Sequence, residues 1–228
     1  MSLLMVAHGT CKADGVATVG DLVTRVSGLL DRQVHVAFVD VLGPTPREVL
    51  SKLTAERPVT VVPAFLAGGY HVRFDLPAHV AASGHPGVTV TAPLGPCAST
   101  VRVMAQRLIE CGWRQGDPIV MAAAGTSDAN AQSDLRRTAA LMSALIGDRV
   151  ELAYAATGTP RVHDAVAELR RRGTRRVAVA SYLLSDGLFH DRLRDSGADL
   201  VADPLGGHPA MARLIANRFK RARVPIAA

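Results

Sequence analysis

The sequence predicts an α/β fold of two duplicated lobes, each a parallel sheet with helices on both faces, with a cleft between the lobes. Three observations carry that prediction. Short, nearly continuous apolar runs alternate with amphipathic stretches, the order expected of strands buried on both sides. The whole pattern recurs about half a chain length later. Hydrophobic residues make up 48% of the 228 residues but aromatics only 4%, so the core rests on Val, Leu, Ile and Ala.

The first apolar run, residues 3–7, lies in the opening MSLLMVAHGT, which lacks a basic leader and is too short for a secretory signal. It is expected to be a buried strand, and the protein cytoplasmic. Val16, Val19, Leu22, Val23, Val26, Leu29 and Leu30 follow at spacings of three and four, one face of a helix. Further strands are expected at residues 34–39, 59–62 and 88–90. Thr45-Pro46-Arg47-Glu48 is a capping box with proline at the first helical position, so a helix starts there. The second copy echoes the first in order. Residues 4–10 recur at 120–126, 36–38 at 152–154, Thr45-Pro46-Arg47 as Thr159-Pro160-Arg161, and 90–95 at 201–206. The lobes are assigned to residues 1–115 and 116–228.

Composition removes several classes of function. No apolar run approaches the roughly 20 residues that cross a bilayer, so no membrane partner is expected. The net charge of +6 suggests an anionic partner. The densest basic run, residues 170–176, sits at a helix end, where cations are locally favourable, and no aromatics interleave it. A small polyanion therefore fits better than nucleic acid. Cys11, Cys97 and Cys111 form no C-x-x-C, which argues against a disulfide framework or a cysteine-bound metal.

Open parallel sheets bind ligands beyond the carboxyl ends of their strands. His8-Gly9-Thr10 follows the first run, Asp40 ends the second, and the third leads through residues 63–70 to His71. Two imidazoles and a carboxylate thus converge on one edge, a set that suits late first-row divalent metals and accepts protons near neutral pH. The second copy has Ala124 for His8 and Ala156 for Asp40, and His190 falls one position beyond the counterpart of His71. One active site per chain is expected, with the second half as a wall.

Val6-Ala7-His8-Gly9-Thr10, Phe38-Val39-Asp40 with the Pro46 helix, and residues 61–66 followed by His71 and Asp75-Leu76-Pro77 resemble the sirohydrochlorin chelatases, small class II tetrapyrrole chelatases, in their two-repeat form. The resemblance covers nearly the whole chain. It implies a lyase that inserts Co²⁺ or Fe²⁺ into sirohydrochlorin or a related tetrapyrrole without a nucleotide, in cobalamin or siroheme biosynthesis. The metal is then a substrate, held by His8, His71 and Asp40, the same three groups serving catalysis. The anionic ring would meet Lys12, Arg73 and Arg161, arginine suiting carboxylates through its paired donors. The family usually has glutamate where Asp40 stands, and some members carry a His-rich or iron–sulfur stretch that is missing here. Single-unit relatives dimerise, so this fused chain is expected to be a monomer. Two rival readings use the same residues: a zinc-dependent hydrolase, and a tetrapyrrole or metal carrier without catalysis. No G-x-S-x-G elbow supports a triad hydrolase.

Overall fold

The computed structural model describes residues 1–222. Its first half runs β1 (Ser2–Ala7), α1 (Ala13–Leu30), β2 (His35–Phe38), α2 (Pro46–Leu50), β3 (Val59–Pro63), a π-helical turn (His71–Asp75) leading into α3 (Leu76–Ala82), β4 (Val88–Val90) and α4 (Ala98–Glu110). The second half runs β5 (Ile119–Gly125), α5 (Ala129–Ile146), β6 (Val150–Thr157), α6 (Val162–Arg171), β7 (Ala178–Tyr182), α7 (Leu188–Arg194), β8 (Leu200–Val201) and α8 (Pro209–Arg221). Each half forms a four-stranded parallel sheet, in the orders β2-β1-β3-β4 and β6-β5-β7-β8. Parallel pairing needs a long crossover between strands, and the helices supply most of them.

Side chains alternate across each strand, and both faces are covered. Leu3, Met5 and Ala7 of β1 face a core that also takes Met121 and Ala123 of β5. Leu4 and Val6 face the other way, onto Leu50 of α2 and Leu76 of α3. In the second sheet Val120 and Ala122 pack outward against Val162, Val166 and Leu169 of α6. The capping box at α2 forms as the sequence predicts, with the Thr45 hydroxyl accepting from the Glu48 amide.

Between the sheets lies a shared layer of four helices, α1, α4, α5 and α8. Each half gives its last helix to the other. α4 packs on α5 and β7 of the second half, while α8 packs on α1 and β3 of the first. One continuous hydrophobic core therefore spans both halves.

The repeats align differently from their sequence echo in two places. The Phe38 amide donates to the Pro44 carbonyl at 2.9 Å, and the Tyr154 amide to the Pro160 carbonyl at 3.0 Å. Pro160 thus stands for Pro44, and Arg161 stands for Thr45, each being the N-cap of the following helix. The Thr-Pro-Arg echo is a coincidence of two proline-bearing turns. A register shift between β5 and β6 also sets Thr157 against Gly125, the place Asp40 holds against Gly9, so Thr157 rather than Ala156 is the positional counterpart of Asp40.

Candidate active site

In a sheet ordered β2-β1-β3-β4 the crossovers diverge between β1 and β3, and their carboxyl ends part to leave a crevice. His8 lies immediately beyond β1, Asp40 just beyond β2, and His71 opens the π-helical turn after β3. One ligand atom from each lies within 4.8 Å of the others. Three ligands about 2.1 Å from one ion stand roughly 3.0–3.6 Å apart, so side-chain closure of about an ångström would bring all three onto one cation.

Local geometry aims both imidazoles. His71 Nδ1–H donates to Asp75 Oδ2 at 2.5 Å, four residues on within the π-helical turn, leaving Nε2 as the free lone pair. His8 Nδ1–H donates to the Gly9 carbonyl at 3.2 Å. The two rings meet edge to face with centroids 4.7 Å apart, and Phe65 stacks near His71 at 6.2 Å. Gly9 makes this approach possible: its φ is +100°, and a Cβ there would lie 2.2 Å from the Asp40 carbonyl oxygen. The Asp40 carboxylate accepts from the Val41 amide at 2.8 Å. Val41 has φ +67°, an outlier for a β-branched residue and a sign of strain beside the site.

His8 and His71 line one side of a cleft of about 650 Å³ shared by both halves, with Asp40 beside it next to the lining residue Val41. The first half contributes His8, Lys12, Tyr70 and His71, the second Ala124, Thr157, Leu188 and Phe189. Tyr70 and Leu188 are more than half exposed, an apolar rim on both sides of a polar floor. His190 reaches the same cleft but is 1% exposed, and both its ring nitrogens are engaged, Nδ1 with Asp186 at 2.8 Å and Nε2 with the Ala202 carbonyl at 3.2 Å. It is a packed, hydrogen-bonded histidine.

The basic residues divide. Lys12 lines the cleft and pairs with Asp191. Arg73 stands two residues past His71 and pairs with Asp128 at 3.6 Å. Arg161 is exposed at the N-cap position of α6, and neither it nor Arg73 is among the residues lining the cleft. Asp75, Leu188, Phe189, Asp128 and Asp191 had no role assigned from sequence. Only Asp75 had a usable signal, its spacing of four from His71.

Comparison with known proteins extends this picture. The family model described as CbiX matches residues 2–111 and, a second time, residues 118–222. A curated relative, the sirohydrochlorin ferrochelatase of Priestia megaterium, is 23% identical over 238 residues, covering 96% of this chain and 89% of the relative. The solved structure of SirB from Bacillus subtilis with Fe³⁺ has a TM-score of 0.83 at 17% identity, covering 96% of this chain and 94% of that one. The sirohydrochlorin chelatase SirB from Bacillus subtilis subspecies spizizenii, in complex with cobalt, has a TM-score of 0.76 at 19% identity, with the same coverage. The structural likenesses establish a shared fold.

Proposed function

The chain belongs to the CbiX family, and from that membership we propose that it is a lyase inserting Fe²⁺ or Co²⁺ into sirohydrochlorin or a closely related tetrapyrrole, without a nucleotide, in siroheme or cobalamin biosynthesis. The observation that carries the reading is the convergence of His8, Asp40 and His71 at a two-sided cleft that the two imidazoles line. Two neutral imidazoles and one carboxylate suit a late first-row ion. The set is open to solvent, which suits an ion that is held weakly and handed on.

Insertion exchanges one divalent cation for the two pyrrole N–H protons of the ring. His8 and His71 hold the cation on one side of the macrocycle and take up those protons as it leaves them. Asp40 offsets the cation's charge. The second half, with Ala124 and Thr157 at the counterpart positions, supplies shape, and Leu188 and Phe189 offer an apolar wall to the ring. Lys12, in the cleft lining, and Arg73, beside it next to the lining residue Val72, meet carboxylates on the ring's rim; Arg161, four residues beyond the nearest lining residue Thr157, is left out of the proposal. The chain acts as a monomer, because both walls come from one polypeptide, and works in the cytoplasm; among the described residues no helix is long and apolar enough to cross a membrane.

The test is anaerobic insertion into sirohydrochlorin with Fe²⁺, Co²⁺, Ni²⁺ and Zn²⁺, followed by absorbance. His8→Ala and His71→Ala should each lose most of the activity. Wild-type rates in both, with unchanged circular dichroism, would overturn the assignment. Stoichiometric zinc surviving purification together with ester or amide hydrolysis would favour a zinc hydrolase instead.

A further inference from the structure

Two ion pairs cross between the halves beside the cleft, and they are copies of one another with the charges reversed. Lys12 is the N-cap of α1 and its amide donates to Thr10 Oγ1 at 3.3 Å; Asp128 is the N-cap of α5 and its amide donates to Thr126 Oγ1 at 3.0 Å. Arg73 and Asp191 correspond in the same way, their amides donating at 3.1 Å to the carbonyls of Gly69 and Gly187. The pair Lys12–Asp191 thus maps onto Asp128–Arg73. Reversal places both cations on the half that carries His8 and His71, and both anions on the half that carries none of the three metal-facing groups.

Helix energetics account for the two anions but not for Lys12: Asp191 stands in the first turn of α7, where a carboxylate suits the helix dipole. Asp128 Oδ1 accepts from the Asn130 and Ala131 amides at 2.9 and 3.0 Å, a proper cap. Lys12 caps nothing, and its positive charge stands at the positive end of the α1 dipole. A residue that opposes its own helix and lines a cleft points to a ligand. The cations are easily released: Lys12 and Asp191 are 49% and 37% exposed and Arg73 is 44% exposed, and exposed pairs are weak, whereas Asp128 is 14% exposed and stays fixed by its cap when Arg73 leaves it.

We propose that Lys12 and Arg73 are the receptors for rim carboxylates of the macrocycle, and that Asp191 and Asp128 are resident competitors that occupy those cations until substrate carboxylates replace them. This rests on the tetrapyrrole reading above. A vacant cleft thereby keeps its cations paired, and a ligand with only one carboxylate would displace only one competitor. A polycarboxylate placed across both receptors is favoured because its second displacement is intramolecular.

Metal-free sirohydrochlorin binding to the full chain, titrated by absorbance at low ionic strength, separates this from a purely structural strut. Lys12→Gln and Arg73→Gln should weaken binding about tenfold each, the loss of one charge-assisted contact. Asp191→Asn and Asp128→Asn should instead tighten it severalfold; asparagine retains the cap on α5. A strut predicts that removing either member of a pair shifts affinity in the same direction, and that outcome overturns the proposal. The two pairs give independent trials if one variant folds poorly. His8→Ala, which should bind the ring without inserting metal, keeps the two readings apart. Binding by wild type and by His8→Ala with same-direction shifts sinks the competitor model alone, whereas no binding by wild type sinks both.

Discussion

The hydrogen bond from His71 Nδ1 to Asp75 leaves Nε2 as the free ring nitrogen, and with His71 in the proposed metal-facing role Asp75 becomes its outer partner. Outer partners of this kind typically change metal affinity or activity 10- to 100-fold. Asp75→Ala should therefore slow insertion about tenfold or more, and Asp75→Asn, which can still accept from Nδ1–H, should recover much of the rate in the same assay. Asp40→Ala should slow turnover more than it weakens tetrapyrrole binding, with Asp40→Glu retaining activity; an equal loss in binding alone would make Asp40 a ring contact. The convergence of His8, Asp40 and His71 was legible in the sequence because strand ends can be read from apolar runs and parallel sheets gather those ends on one edge. The counter-ions of Lys12 and Arg73 were not legible, since Asp191 and Asp128 lie on the far half and only folding brings them near.

Strands and the start of α2 could be read directly, the former from continuous apolar runs and the latter from its capping box. The π-helical turn at His71–Asp75 could not, because none of its residues is buried and no apolar period marks it. Nor could the cap of α8, where His208 Nδ1 accepts from the Ala210 amide at 3.1 Å and must be unprotonated to do so. Burial holds the His208 pKa below its ordinary 6.5; Arg107 and Arg213 reinforce the shift and Glu110 opposes it. The unfolded chain then takes up a proton that the folded chain resists. This contribution to stability is complete above about pH 6.5 and is lost as the pH falls below that value. Denaturant unfolding from pH 7.5 down to 5 should show this loss, and His208→Asn, which can still cap, should flatten it. A slope unchanged by that substitution would remove His208 as its source.

At the scale of the molecule, duplication was visible in the sequence but the exchange of α4 and α8 was not. An amphipathic pattern reveals that a helix has an apolar face without saying which sheet that face will cover. The exchange makes the halves one cooperative unit. Thermal unfolding followed by far-ultraviolet circular dichroism and by Trp113 fluorescence, which reports on the seam, should give one coincident transition. Two separated midpoints would show that the halves melt independently. Deleting residues 118–228 should abolish insertion, since it removes one wall of the cleft and also uncovers α1 and the apolar side of α4.

The exchanged helices also bear on synthesis. A ribosome releases the first sheet early, yet α8, which covers part of that sheet, is made after every other helix among the described residues. The nascent first half must therefore wait, with apolar surface of α1 and β3 uncovered, while the second half is translated. In a chain of independent beads the leading domain can finish folding on its own; here completion is deferred until α8 has emerged, and a premature stop before α8 leaves an adhesive product rather than a working half-enzyme.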